Sequence, residues 1–384
     1  MIYFDHAATG FPKSEAVISA VANAMRISGS AGRGSHGYAE KSGELLYECR
    51  TALADEFGAQ PENCVLTKNC TESLCIAVKG FIMRHKGKCG VVAGDFDHNS
   101  VTRPLYAMEK AGKARIKRFT PSLESDEETL ERFEKAVSGG ASLAVITHAS
   151  NVCGRIFPLR EMYSAASRRG VTVIVDAAQT AGHTPVRLDE GCADILCLPG
   201  HKGLYGPSGT GAMIFRSGFD KLPDTLLEGG TGIRSIEMSM PPLPPERYEA
   251  GTVNTPAFAG LTQALKEKNS PEPNGYRTDG EDEIYRFLIE ELDKTEGIRL
   301  IGAPKAGNTE KWTKILLLTR KGESSEQTAR YLAEKGFAVR GGLHCAPGAH
   351  RRLGTLGSGA VRISVGRGNT LRQAEELISA LRGG

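Results

Sequence analysis

"VTVIVDAAQT", residues 171–180, is apolar or β-branched at every position before Asp176. A strand with one wet face alternates polar and apolar residues, and this one does not. Such a run belongs to a strand buried on both faces, the usual state of a parallel sheet covered by helices. Working outward, "NCVLT" (63–67), "CGVVAGD" (89–95), "SLAVITHAS" (142–150), "ADILCLPG" (193–200) and "TGAMIF" (210–215) repeat the pattern. Between them lie stretches with helical spacing: "TESLCIAVKGFIM" with Thr71 near its N-cap, "SVTRPLYAMEKAG" closed by Gly112, "DEETLERFEKAV" and "PLREMYSAASRRG". Strand-helix alternation predicts an α/β fold with a mostly parallel seven-stranded sheet flanked by helices. Sites in such sheets lie just past the carboxyl ends of the strands. The polar residues that follow each apolar run are therefore the ones to inspect.

A Gly/Pro-rich stretch spans residues 228–257, long for a plain connection and so a candidate functional loop. After a break at "KNSPEPNG", the helix "EDEIYRFLIEELDKT", the strand "KILLLT", the helix "SSEQTARYLAEKG", the segments "AVRGG" and "AVRISVG" and a last helix "TLRQAEELISALR" predict a smaller α+β domain. The expected division is a large domain over 14–265, with 1–13 and 266–384 forming the small one. A chain of 384 residues exceeds what one core normally serves.

A net charge of +3 with 24% charged residues gives no basic surface for nucleic acid or an acidic membrane. No leader-like start and no long apolar window occur, so a cytoplasmic protein is expected. The nine cysteines are odd in number and include no Cys-x-x-Cys pair, which argues against a disulfide framework and a zinc site. Cys64, Cys70, Cys75, Cys89, Cys192 and Cys197 lie in or beside apolar runs and read as core. "GRGSHG" (32–37) matches G-x-G-x-x-G, but a helix rather than a strand precedes it, so it is not a dinucleotide fingerprint.

Asp176 and Lys202 are the pair with chemical content. Lys202 stands in "LPGHKGLYGPSGTG", 26 residues after Asp176, just past another buried run. Read singly, they suit a turn cap and a solvent-facing lysine. Read together, they suit pyridoxal 5'-phosphate, which needs an amine to carry it and a carboxylate at its pyridine nitrogen. "KNCTES" (68–73) offers small hydroxyls and backbone N–H groups at a strand-to-helix junction, suited to the phosphate.

These residues carry a resemblance. "DAAQT" with "GHKGLYGPSGTG" resembles the cofactor signature of the class V aminotransferase family of fold-type I enzymes. "YFDHAATG", "GRGSHGYA", "TESL", "DHNSVTRPL", "SNVCG", "EAGTVNTPA" and "VRISVG" follow in the family's order. "RGGLHCAPGAH" (340–350) resembles the cysteine desulfurases related to selenocysteine lyases. The resemblance implies that Lys202 carries pyridoxal phosphate and moves the substrate Cα proton. Asp176 would pair with the pyridine nitrogen and Gln179 with the ring hydroxyl. His98 would stack on the ring, and Asn151 would touch its edge. Thr71 and His201 would lie at the cofactor phosphate, joined by Thr252 from the neighbouring subunit of a homodimer, and Glu72 would also belong to the cofactor site. Arg362, His36 and Ala8 would contact the substrate.

Cys345 would take sulfur from L-cysteine as a persulfide, with His344 or the site's positive groups favouring the thiolate and "GGLHCAPGAH" acting as a mobile loop. A sulfur-acceptor protein is a possible partner. The same residues serve a selenocysteine lyase. A class V aminotransferase or epimerase with Cys345 incidental, and a silent sulfur carrier, are the other readings. Departures from the family pattern are His6, Cys75, Arg155 and Pro199.

Overall fold

The computed structural model describes residues 1–31, 34–270 and 280–383. In chain order the elements begin with β1 (Ile2–Tyr3), α1 (Glu15–Ile27), α2 (Gly37–Phe57), β2 (Cys64–Thr67), α3 (Cys70–Arg84), β3 (Cys89–Gly94) and α4 (Asn99–Lys110). β4 (Ala114–Phe119), α5 (Asp126–Val137), β5 (Leu143–Thr147), α6 (Leu159–Ser167), β6 (Thr172–Asp176), β7 (Ile195–Pro199), β8 (Gly211–Phe215) and α7 (Thr255–Lys268) follow. The remaining elements are α8 (Glu281–Asp293), β9 (Ile298–Leu300), β10 (Ile315–Arg320), α9 (Ser325–Glu334), β11 (Phe337–Ala338), β12 (Arg340–Gly342), α10 (Pro347–Arg352), β13 (Ala360–Ser364) and α11 (Leu371–Arg382).

The seven-stranded sheet has the order β2-β8-β7-β6-β5-β3-β4. It is parallel except for β8, which runs antiparallel to both β2 and β7. β5, β6 and β7 are buried at every residue, as their unbroken apolar runs required. Two cores cover the two faces, one around Leu53, Phe133 and Leu196, the other around Leu74, Val91 and Met213. A four-stranded antiparallel sheet, β12-β13-β10-β9, builds a third core with α8 and α11. The chain start joins it: β1 pairs with β11, and Phe4 is fully buried in that third core.

Several local expectations need correction. α3 begins one residue before Thr71, and its N-cap is Asn69, whose side chain accepts the Glu72 N–H. β1 and β9 went unread because strands of two and three residues carry no periodicity. α10 lies inside the segment expected to be a loop, and Pro347 at its first position is the signal that marks it. "KNSPEPNG" lies mostly outside the described residues, as do Gly32 and Arg33 of "GRGSHG". What remains of "GRGSHG" leads into α2 after α1, not after a strand.

Candidate active site

The carboxyl ends of β3, β5, β6 and β7 lie at one edge of the large sheet, and each delivers its polar residues there. A cavity of about 200 Å³ lies among them, lined by Asn69, Cys70, Thr71, His98, Ser100, Asn151, Asp176, Gln179, Pro199, His201 and Lys202. Seven of the predicted residues thus meet: Thr71, His98, Asn151, Asp176, Gln179, His201 and Lys202.

Asp176 is the last residue of β6 and is buried. Its Oδ1 accepts the Ala178 N–H at 2.9 Å and the Cys70 thiol at 3.6 Å. Lys202 follows β7, and burial pulls its pKa down, with Arg362 acting in the same direction and Asp176 opposing. The close approach of the chain start supports this turn. A Cβ on Gly10 would sit 2.6 Å from the Lys202 carbonyl, and the Gly10 N–H donates to His201 O at 2.9 Å.

His98 is the N-cap of α4, and its Nδ1 accepts the Ser100 N–H at 3.0 Å. A backbone N–H only donates, so the neutral ring carries its proton on Nε2. Burial lowers the His98 pKa. His201 Nδ1 lies 3.1 Å from Thr9 Oγ1, and burial lowers its pKa to about 4. Gln179 donates to Ala7 O at 3.1 Å, tying the chain start to the cavity wall.

Arg362, on β13, is almost fully buried. Its Nη2 donates to Asp5 Oδ1 and its Nη1 to the Asn151 carbonyl, both at 2.9 Å. Asp5 also takes Arg340 through Nε at 3.0 Å and Nη2 at 2.8 Å. Two atoms here are buried without a partner, Arg362 Nε and Asn151 Oδ1. A buried donor and acceptor left open beside a cavity are the valences a bound ligand fills.

Cys345 is exposed, whereas seven of the other cysteines are buried and Cys75 is half-buried. Burial raises the thiol pKa of Cys89 and Cys192 to about 11 and of Cys49 to about 12. The expected loop is seated rather than free. Asn99 N–H donates to Cys345 O at 2.7 Å, and Asn151 Nδ2 donates to His344 O at 2.7 Å. Behind it, Arg352 on α10 pairs with Asp95 at 2.6 Å, and a Cβ on Gly348 would meet Asp95 O at 2.4 Å. His344 and Cys345 both adopt left-handed backbone, φ 49° and 55°. Each costs a non-glycine residue of order 1–3 kcal/mol, a strain the surroundings must hold.

His344 does not serve the thiol as expected. Its Nε2 faces Arg340 O at 3.1 Å and its Nδ1 faces His350 Nε2 at 3.0 Å, so both ring nitrogens are taken. Burial also lowers its pKa to about 3, leaving it uncharged. Arg340, which lies five residues before Cys345, is itself held by Asp5.

Besides Arg362 and Cys345, four predicted residues stand apart from the cavity lining. Glu72 turns its carboxylate back to the Lys68 N–H at 2.6 Å, which braces the start of α3. His36 is exposed and caps α2 through the Ala39 N–H at 3.3 Å. Ala8 contributes a backbone turn, its N–H bonded to Asp5 O at 3.0 Å. Thr252 is exposed near Lys68 and Glu72, on a stretch anchored by the buried bidentate pair Arg50–Glu249 at 2.7 Å. Of the departures, Arg155 is buried away from the cavity and holds Asp126 and the Trp312 ring. Pro199 lines the cavity, and its missing N–H removes one donor.

The Aminotransferase class-V family matches residues 2–377. The chain belongs to that family. It is 30% identical over 99% of its length to a probable cysteine desulfurase of Pyrococcus abyssi, of which it covers 93%. It is equally 30% identical to one of Xylella fastidiosa, with 99% of this chain and 90% of that protein covered. Among solved structures, the apo cysteine desulfurase from Thermococcus onnurineus NA1 matches with a TM-score of 0.88 at 28% identity, covering 100% of this chain and 94% of that one. The cysteine desulfurase CsdA from Escherichia coli has the same fold, with a TM-score of 0.86 at 23% identity over 99% and 93% of the two chains. The fold-type I architecture and an enzymatic role, both implied by the sequence resemblance, are borne out.

The residues present fit pyridoxal phosphate. An amine and a carboxylate stand in one cavity, the N-terminus of the long helix α3 opens onto it, and Asn151 Oδ1 is an unpartnered acceptor in its wall. The first N–H groups of a helix have no partner inside it and suit a phosphate.

Proposed function

We propose that this protein is a pyridoxal-phosphate-dependent cysteine desulfurase that converts L-cysteine to L-alanine and receives the sulfur on Cys345. One observation carries the reading. Among the described residues the one exposed cysteine is bonded through its own carbonyl to Asn99, between the cavity residues His98 and Ser100, and through the His344 carbonyl to Asn151 in the cavity wall. An aminotransferase has no use for a thiol held there.

Lys202, Asp176, Gln179, His98, Asn151, Thr71 and His201 hold the cofactor. When bound, it withdraws electron density from the substrate Cα. Lys202 Nζ takes and returns the Cα proton, and its lowered pKa supplies the neutral amine this needs. His98 has only Nε2 left to face the cavity, so it relays protons from that atom. The substrate carboxylate binds the guanidinium of Arg362 through the open Nε. The Cys345 thiolate then attacks the substrate sulfur. The Cβ–S bond breaks, its electron pair stays on carbon, and a proton completes alanine. The sulfur remains on Cys345 as a persulfide for an acceptor protein or reductant. Thr252 completes the phosphate site of a second copy in a homodimer.

Alanine and sulfide are measured with L-cysteine and with L-selenocysteine, on wild type and on Cys345→Ala. The expected result is loss of alanine formation from L-cysteine in the variant with the yellow colour kept. Full activity of Cys345→Ala on L-cysteine rejects the persulfide step. Wild-type activity on L-selenocysteine alone makes the enzyme a lyase of that substrate. Transfer of the amino group to a keto acid, with neither sulfur nor selenium released, makes it an aminotransferase.

A further inference from the structure

Behind Cys345 lies a chain of hydrogen bonds that the proposed chemistry does not use. Thr355 Oγ1 is 2.7 Å from His350 Nδ1, His350 Nε2 is 3.0 Å from His344 Nδ1, and His344 Nε2 is 3.1 Å from Arg340 O. All three side chains are buried, His350 completely.

The proton positions follow from one fixed end. A carbonyl only accepts, so His344 Nε2 carries a hydrogen. The neutral ring then presents a bare Nδ1, which accepts from His350 Nε2–H. His350 in turn presents a bare Nδ1, which accepts the Thr355 hydroxyl. Thr355 Oγ1 also lies 3.5 Å from the His350 carbonyl, and only one arrangement of neutral rings satisfies all three links. Adding a proton to His344 in this arrangement sets its Nδ1–H against the His350 Nε2–H. Burial lowers the pKa of His344 to about 3 and of His350 to about 4, in keeping with this.

We infer that His350 and Thr355 are positioning residues for the Cys345 thiol, acting through His344. The chain locks the His344 ring in one tautomer and one direction. With the ring locked, His344 and Cys345 stay in their left-handed backbone, and their carbonyls stay on Asn151 and Asn99. Because those two partners flank the cofactor cavity, the relay registers the thiol to the cavity from the far side. Gly348 supports the same register by letting α10 close on Asp95. The inference rests on Cys345 being the sulfur-accepting thiol. It adds that a histidine and a threonine five residues apart set where that thiol stands.

The test uses Thr355→Val, His350→Phe and His350→Gln in the full-length, cofactor-loaded protein. Valine keeps the threonine shape and removes only the donor, so this variant is the least prone to misfold. Glutamine can donate to His344 Nδ1 and accept from Thr355, so it restores the relay. Steady-state kinetics on L-cysteine and deuterium uptake of peptides covering residues 95–105 and 340–350 are read together. Thr355→Val and His350→Phe are expected to lower kcat by roughly tenfold to a hundredfold, the cost of misplacing a reacting group by about 1 Å. KM and the yellow colour should hold, and uptake should rise in both peptides. His350→Gln should recover most of kcat. Wild-type kcat and uptake in Thr355→Val and His350→Phe overturn the inference. So does a parallel fall of kcat, KM and colour that glutamine does not rescue. Cys345→Ala separates the two readings. If it stays fully active the sulfur role fails, whereas uptake reports on the relay in either case.

Discussion

The rim of the large sheet and the turn at residues 343–347 both bring polar groups to the cavity, by opposite means. At the rim, Asp176 and Lys202 follow strands buried at every residue, and backbone geometry alone carries them to the same edge. At the turn, Cys345 sits between a three-residue strand and a six-residue helix in unfavourable backbone. It is held by bonds to Asn99 and Asn151, far off in sequence, and by a histidine relay. The comparison teaches that the rim is set by local pattern and the turn by long-range satisfaction. The rim should tolerate substitution without moving. The turn should lose its chemistry through residues that never touch substrate.

Lys202→Ala gives the sharpest break on the rim side. The protein should fold, lose its yellow colour and lose alanine formation, at least the 10²- to 10⁴-fold that a positioned proton carrier contributes. Absorbance and melting temperature check this together, and a drop in melting temperature as large as that of a core substitution would show that the rim is not independent of its side chains.

Arg362→Lys probes the bridge between the regions, since Arg362 holds both Asp5 and the Asn151 carbonyl. A lysine cannot reproduce the fork, and a charge-assisted bond is worth about 1.5–3 kcal/mol. kcat/KM on L-cysteine should fall by roughly 10- to 150-fold. An effect confined to KM would assign Arg362 to substrate alone.

Acid should loosen the rim and the turn alike. His6, His148, His344 and His350 are buried, and burial lowers their pKa to about 4, 4, 3 and 4. In the unfolded chain a histidine takes its proton near pH 6.5. Between that value and about 4, unfolding takes up protons, so stability falls as pH falls. The loss is on the order of 1–2 kcal/mol per histidine by pH 5. Denaturant midpoints from pH 7.5 to 5 check it. His350→Gln should reduce the slope, because it removes one of these protons, and an unchanged slope would mean that His350 is already charged in the fold.

Much of the site was legible because buried parallel strands announce themselves. Asp176, Gln179, His201 and Lys202 each stand directly after such a run. His36 and Glu72 read as site residues from motif position alone, and they also cap and brace the helix starts they occupy. Arg155 looked like a change in the cavity and is a packing residue turned away from it. His350 carried no signal, since a histidine on a short helix has no period to betray it.

The sequence by itself determined the α/β class, the strands of the large sheet and the residues at their carboxyl ends, because hydrophobic periodicity and strand-end position are local properties. Only the tertiary structure decided that the turn carrying Cys345 bonds to Asn99 and Asn151, and that His344 is neutral with both ring nitrogens taken. The first depends on donors and acceptors far apart in the chain and the second on a local turn that folds Arg340, His344 and His350 together, and neither kind of hydrogen bond leaves a periodic spacing to read.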